Sequence, residues 1–158
     1  MYELLLDSSY LFPIFGVALE YRDFGSVFPK LPDRYSVKYN PVSLIEGKWF
    51  ILRKARNRKS EGARNLLQSY RRSLLSLERD QRIQSTQLTN EKIEELSDIL
   101  LTEFAMQDYF DRLIFSTAVY LGSILLTEDS VMHEIFKKMD DDGLKPKKII
   151  KWKDLRNS

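Results

Sequence analysis

Asp7, Glu46, Asp111 and Asp129 are four carboxylates in four unlike settings. Asp7 ends the apolar run Leu4-Leu5-Leu6, and Asp129 closes Ile124-Leu125-Leu126-Thr127-Glu128. Glu46 sits early in a helical stretch, and Asp111 opens an apolar one. Clustered carboxylates repel one another and are tolerated mainly where a hard divalent cation neutralises them. Two of the four also break their local pattern. Asp111 shares a helical face with Ile114, Phe115 and Ala118, and Glu46 shares one with Trp49 and Phe50. A carboxylate at the head of an apolar stripe needs a partner. For any single acid the plainer alternative is a helix N-terminus favoured by the macrodipole, or an ion pair with a nearby arginine.

The elements that must position these acids follow from periodicity. Residues 2–6 read as a buried strand. Ser8 and Ser9 are expected to cap a helix through Leu11, Phe12, Ile14 and Phe15, with Pro13 in its first turn. Residues 16–40, rich in aromatics and prolines, read as a short helix and loops. Asn40 and Pro41 start a helix to about residue 58, and a second spans 62–80. A short strand is expected over 83–88 and a helix through Ile93 and Leu100. A further helix covers about 108–121, with Gly122 as its left-handed cap. A strand over 123–127, a helix to 139 capped by Ser130, a turn at 140–143 and a strand over 148–152 complete the chain.

Strands alternating with helices predict an α/β fold: three layers, α/β/α, around a mostly parallel central sheet of four to five strands. In such a sheet, strand-end residues and the starts of the following helices share the carboxyl edge. That is where open α/β sheets bind ligands. All four acids are therefore expected at one edge. The length of 158 residues predicts a single domain over 1–158.

Composition narrows the chemistry. The chain has no cysteine, which excludes disulfides, thiolate metal sites and a cysteine nucleophile and fits a reducing cytoplasm. The N-terminus carries Glu3 where a signal peptide needs basic residues, and no apolar run is long enough for a membrane span. A net charge of +2 predicts no strong polyanion binding by the chain as a whole. Local charge differs. Arg53, Lys54, Arg56, Arg58 and Lys59 form a basic helix end, and Lys145, Lys147, Lys148, Lys151 and Lys153 a basic tail. Either could meet phosphates or merely complement a helix dipole. His133 is read as packing, and Trp49 and Trp152 as core residues rather than base-stacking platforms.

Two segments resemble the PIN domain, the nuclease fold of VapC-type toxins and related RNA-processing proteins. Leu5-Leu6-Asp7-Ser8-Ser9-Tyr10-Leu11 is similar to the family's opening strand, aspartate and small hydroxyl residues. The stretch Asp111-Arg112-Leu113-Ile114-Phe115-Ser116-Thr117-Ala118, followed by Leu121-Gly122-Ser123-Ile124-Leu125-Leu126-Thr127-Glu128-Asp129, is similar to its aspartate-led helix, glycine turn, strand and Thr-x-Asp ending. Glu46, in a proline-initiated helix, matches the glutamate between them. The resemblance implies a single-stranded RNA endonuclease using magnesium or manganese, acting as a homodimer, with an antitoxin as a possible protein partner. Oxygen-only ligands agree with a hard cation. Asp7 and Asp129 would hold a first ion, with Glu46 and Asp111 completing that site or holding a second. Ser8, Thr127 and Ser130 would orient carboxylates or water, and Glu128 could share the role of Asp129. Asp108, three residues before Asp111, is a lesser candidate and reads first as a solvated helix acid. Arg53, Arg56, Arg58 and Lys59 are the candidate nucleic-acid contacts. Two other classes compete: a PIN-like domain without catalysis that binds RNA or protein, and a phosphoacceptor switch, suggested by acids at strand ends and Lys145-Pro146.

Overall fold

The computed structural model describes residues 1–156, the side chain of Arg156 excepted. Among these, five strands form one parallel sheet: β1 (Tyr2–Leu6), β2 (Tyr35–Tyr39), β3 (Ile83–Ser85), β4 (Ile124–Leu126) and β5 (Lys148–Ile150). Their order is β3-β2-β1-β4-β5. The chain builds outward from β1 in one direction, then crosses back to build in the other. The reversal lies between β1 and β4, where Leu4 to Leu6 pair with Ile124 to Leu126. Crevices at such switch points are where open sheets bind ligands.

Alternation along the strands divides the core in two. Leu4, Leu6, Ile124 and Leu126 face one cluster, with Phe15, Ile51, Tyr70 and Leu77. Leu5 and Leu125 face the other, with Ile93, Leu113, Ile114, Phe115 and Met132. The first is covered by α2 (Val42–Arg56) and α3 (Ser60–Arg79), the second by α4 (Glu91–Phe104), α5 (Tyr109–Leu121) and α6 (Ser130–Lys138). This is the expected three-layer arrangement, with all strands parallel. No helix among the described residues is long and apolar enough to cross a membrane.

Several local expectations are corrected. Residues 16–40 hold a strand, β2, as well as a short helix α1 (Phe24–Val27) and a 3-10 segment at Phe28–Asp33. Tyr35, Val37 and Tyr39 alternate as a strand should, but the prolines nearby mask the pattern. The segment after β1 is a 3-10 turn at Ser8–Tyr10, not a helix capped by Ser8 or Ser9; Asp7 is its cap. Likewise α6 is capped by Asp129, whose carboxylate accepts from the Met132 amide at 2.8 Å, and Ser130 is exposed. The strand expected over 148–152 stops at Ile150, and Trp152–Arg156 form a last helix, α7.

Two devices hold α2 against the site. Asn40 is fully buried, and its Oδ1 accepts from the Val42 amide at 2.9 Å. Its Nδ2 donates to the Leu88 carbonyl at 3.0 Å and to Thr117 Oγ1 at 2.9 Å. The start of α2 is thereby tied to the loop after β3 and to α5. Gly47 supplies the second device. A Cβ there would lie 2.7 Å from the ring of Phe15, which is fully buried and cannot yield. Only glycine lets α2 approach this closely, one residue from Glu46.

Candidate functional site

Asp7 follows β1 directly, and its amide donates to the Leu126 carbonyl at 3.0 Å, extending the β1–β4 pairing. Its carboxylate accepts from the Ser8 amide at 2.7 Å and from Thr127 Oγ1 at 2.5 Å. Thr127, fully buried, also accepts from the Asp129 amide at 3.0 Å. One threonine thus joins the ends of both switch-point strands. Buried Ser8 donates its hydroxyl to Glu46 and lies 2.9 Å from Ser43 Oγ on α2. Ser8 and Thr127 therefore orient carboxylates, as expected for them. Ser43 joins them unforeseen.

The carboxylates repel one another across this crevice. Burial raises the Asp7 pKa, against the hydrogen bonds from Thr127 and Ser8, and Asp129 and Glu128 raise it further. Burial pushes Glu46 up to about 7, with Asp7 and Asp108 adding repulsion and Ser8 opposing it. Asp111 is also pushed up to about 7, by burial first and then by Asp108, Asp7, Asp129 and Glu46. Nothing offsets it: the Asp111 carboxylate accepts no hydrogen bond from the described residues. The four acids share one electrostatic environment, as their expected positions at one edge require.

The plainer alternatives divide. None of the four forms an ion pair among the described residues. Arg112, next to Asp111, is buried and spends its guanidinium on the carbonyls of Met106 and Gln107 and on Ser97. The helix-terminus alternative holds for three acids. Asp111 lies in the first turn of α5, Asp129 caps α6, and Asp7 caps the 3-10 turn after β1.

Glu128 stands apart. Its Oε1 accepts from Tyr10 Oη at 2.9 Å and from the Trp152 amide at 2.7 Å. Tyr10, Tyr21, Phe24 and Trp152 stack around it, with ring centroids 5.0 Å apart for Tyr10–Tyr21 and for Phe24–Trp152. Tyr21, Arg22 and Phe24 thus cover the β5 side of the carboxyl edge. His133 is half-buried, with Nε2 2.9 Å from the Thr127 carbonyl, a packing role.

The other side is open. A cleft of about 520 Å³ runs from Glu46 past Trp49, Arg53 and Arg56, with Asp108 and Phe110 on the facing wall. Trp49 is no core residue, being 56 % exposed; Trp152, at 3 %, is one. Arg58 and Lys59 are exposed but do not line this cleft. The basic tail splits. Lys147 and Lys148 precede or begin β5 at the amino edge, remote from the acids, whereas Lys151 and Lys153 follow β5 at the carboxyl edge. Asp108 is exposed, as a solvated helix acid should be; it also caps α5, lines the cleft and repels both Glu46 and Asp111.

The donor set is all oxygen, and three of its members carry raised pKa values, so a hard cation suits it by chemistry and by field. The side chains do not form a ready cage. Among the described residues no three His, Cys, Asp or Glu groups converge closely enough to hold an ion. Glu46 is drawn to Ser8, and Asp129 is turned to its own helix. No protein-family model matches the chain, and no curated protein matches it.

Proposed function

We propose that the chain is a metal-dependent endoribonuclease acting on single-stranded RNA at the β1–β4 switch point. The observation that supports it most is three acids from three elements, Asp7, Glu46 and Asp111, whose pKa values are all raised by burial and by neighbouring carboxylates, beside an open cleft carrying Arg53 and Arg56. Asp7 and Asp129 would hold magnesium or manganese, with Glu46 and Asp111 completing that site or a second one. The bound ion would supply a lowered water pKa and a neutralising charge at the phosphodiester. Thr127 and Ser8 hold Asp7 in place for that task, and Ser8 also holds Glu46. The arginines supply positive charge that the net balance of the chain lacks. The PIN resemblance gives the reading its partners, a second copy of the chain and an antitoxin, and the cysteine-free composition fits a cytoplasmic setting.

Glu46 bonded to Ser8 and Asp129 turned to its own helix favour a second reading, a PIN-like module that binds RNA or protein without cutting. One pair of measurements separates them. Manganese is expected to raise the unfolding temperature of the wild type and to leave the Asp7→Asn, Asp129→Asn double variant unmoved. Cleavage of labelled single-stranded RNA is expected with manganese and not with EDTA. Metal-independent melting together with no cleavage leaves the binding module standing.

A further inference from the structure

We propose that the open cleft is a nucleobase-stacking subsite for single-stranded nucleic acid, with Trp49 as its platform and Arg53 and Arg56 contacting the neighbouring phosphates. This rests on the nuclease reading of the acids beside it. Glu46, Trp49, Arg53 and Arg56 recur at i, i+3, i+7 and i+10, so they follow one face of α2 for about 15 Å. The track begins at a candidate catalytic acid and ends at two arginines, of which Arg53 also lies over the Phe50 ring, 5.9 Å from its centroid. Neither arginine forms an ion pair among the described residues.

Trp49 does no work for the core. The buried face of α2 is Val42, Ser43, Gly47, Ile51 and Ala55. Its indole instead leans on Phe110, with centroids 5.4 Å apart and planes at 46°, and remains 56 % exposed. An aromatic ring supported by a second ring, open to solvent and followed by guanidinium groups is what an unpaired base can stack on. A duplex cannot use it, because paired bases already cover one another's faces. The competing occupant is a second copy of the chain, since Ile45 and Leu52 are also exposed on α2, at 41 % and 36 %. The placing of charge decides for the base: the acids Glu46 and Asp108 lie together at one end of the cleft, and Arg53 and Arg56 follow Trp49 along α2 away from them, where the phosphates next to a stacked base would meet positive charge.

The test measures binding in EDTA, apart from any cutting, at about 0.15 M salt where non-specific attraction is screened. Three labelled probes of equal length are compared: a single strand with bases, an abasic strand, and a duplex. The wild type is expected to bind the first about tenfold more tightly than the other two. Trp49→Ala should bind the base-bearing strand no better than the abasic one, and Trp49→Phe should keep part of the preference. Trp49 is exposed, so neither variant threatens the fold, and the buried Trp152 reports on it by fluorescence. Equal affinity for base-bearing and abasic strands, an unchanged preference in Trp49→Ala, or no binding of any strand overturns the subsite. So does a wild-type dimer that Trp49→Ala splits while strand binding stays the same. Manganese-dependent cleavage with no Trp49 effect sinks the subsite and leaves the nuclease reading intact. Trp49-dependent base binding without cleavage does the reverse.

Discussion

Glu46 and Glu128 are both half-buried glutamates at the carboxyl edge of one sheet, and their surroundings are opposite. Glu128 is enclosed by an aromatic stack and accepts from Tyr10 Oη and the Trp152 amide. Its charge is met by protein donors. Glu46 has one hydroxyl, from Ser8, and otherwise faces acids and an open cleft. Burial therefore costs Glu46 enough to raise its pKa to about 7. A carboxylate already supplied with donors stabilises a fold. One left short of them beside a cleft is available to a ligand. Tyr21, Arg22 and Phe24 make the difference, because they pack on Trp152 over one half of the edge, while the other half is open.

The largest expected effect breaks the comparison on the Glu46 side. Asp7→Asn, Glu46→Gln and Asp111→Asn should each lower manganese-dependent RNA cleavage by several kcal/mol in barrier, more than about a hundredfold. Thermal melts should show each folded. Glu128→Gln should keep most of the activity; a loss matching that of Asp7→Asn would put Glu128 in the reaction and end the distinction drawn here.

Stability should show the reverse pattern. Glu128→Ala removes both acceptor contacts to Tyr10 and Trp152 and should cost about 1–3 kcal/mol in a denaturant titration. An unchanged midpoint would mean that the aromatic stack holds this half alone.

A pH series on the metal-free protein sharpens the contrast. Glu46 and Asp111 bind protons more tightly folded than unfolded, with pKa values raised to about 7 from 4.5 and 3.8. The native state therefore holds more protons between about pH 4 and 7, and their share of stability falls as pH rises through that window. Asp111→Asn removes one such penalty. In EDTA at pH 8 it should stabilise the fold by on the order of 1 kcal/mol, allowing for solvent screening, and the gain should vanish near pH 4. A clear loss of stability at pH 8 would assign Asp111 a structural partner instead.

The smallest effect concerns Asp129, which belongs to both halves. As the cap of α6 it stabilises the helix, so Asp129→Ala should cost about 1 kcal/mol, whereas Asp129→Asn keeps an acceptor and should cost less. If both lose cleavage alike, charge at the switch point is what matters. If only the alanine variant does, capping is.

Much of this was legible in the sequence. Leu4 to Leu6 and Ile124 to Leu126 are apolar runs bounded by polar residues, so both switch-point strands and the acids after them could be placed. Asn40, Gly122 and the helical stripes set the helices nearly to their ends, because caps and periodicity are local. Parallel strands then required Asp7, Glu46, Asp111 and Asp129 at one edge. Only tertiary structure decided which acids are left short of donors. The bond from Tyr10 to Glu128 spans 118 residues of chain and that from Trp152 spans 24, and no local pattern encodes either. The strand β2 was hidden because Pro29 and Pro32 precede it, although Tyr35, Val37 and Tyr39 alternate as a strand should. Trp49 looked like core by residue type, yet the close approach of Gly47 to Phe15 sets which face of α2 is buried, and Trp49 falls outside it. Sequence specifies what each residue can offer; long-range packing determines which offers are taken up.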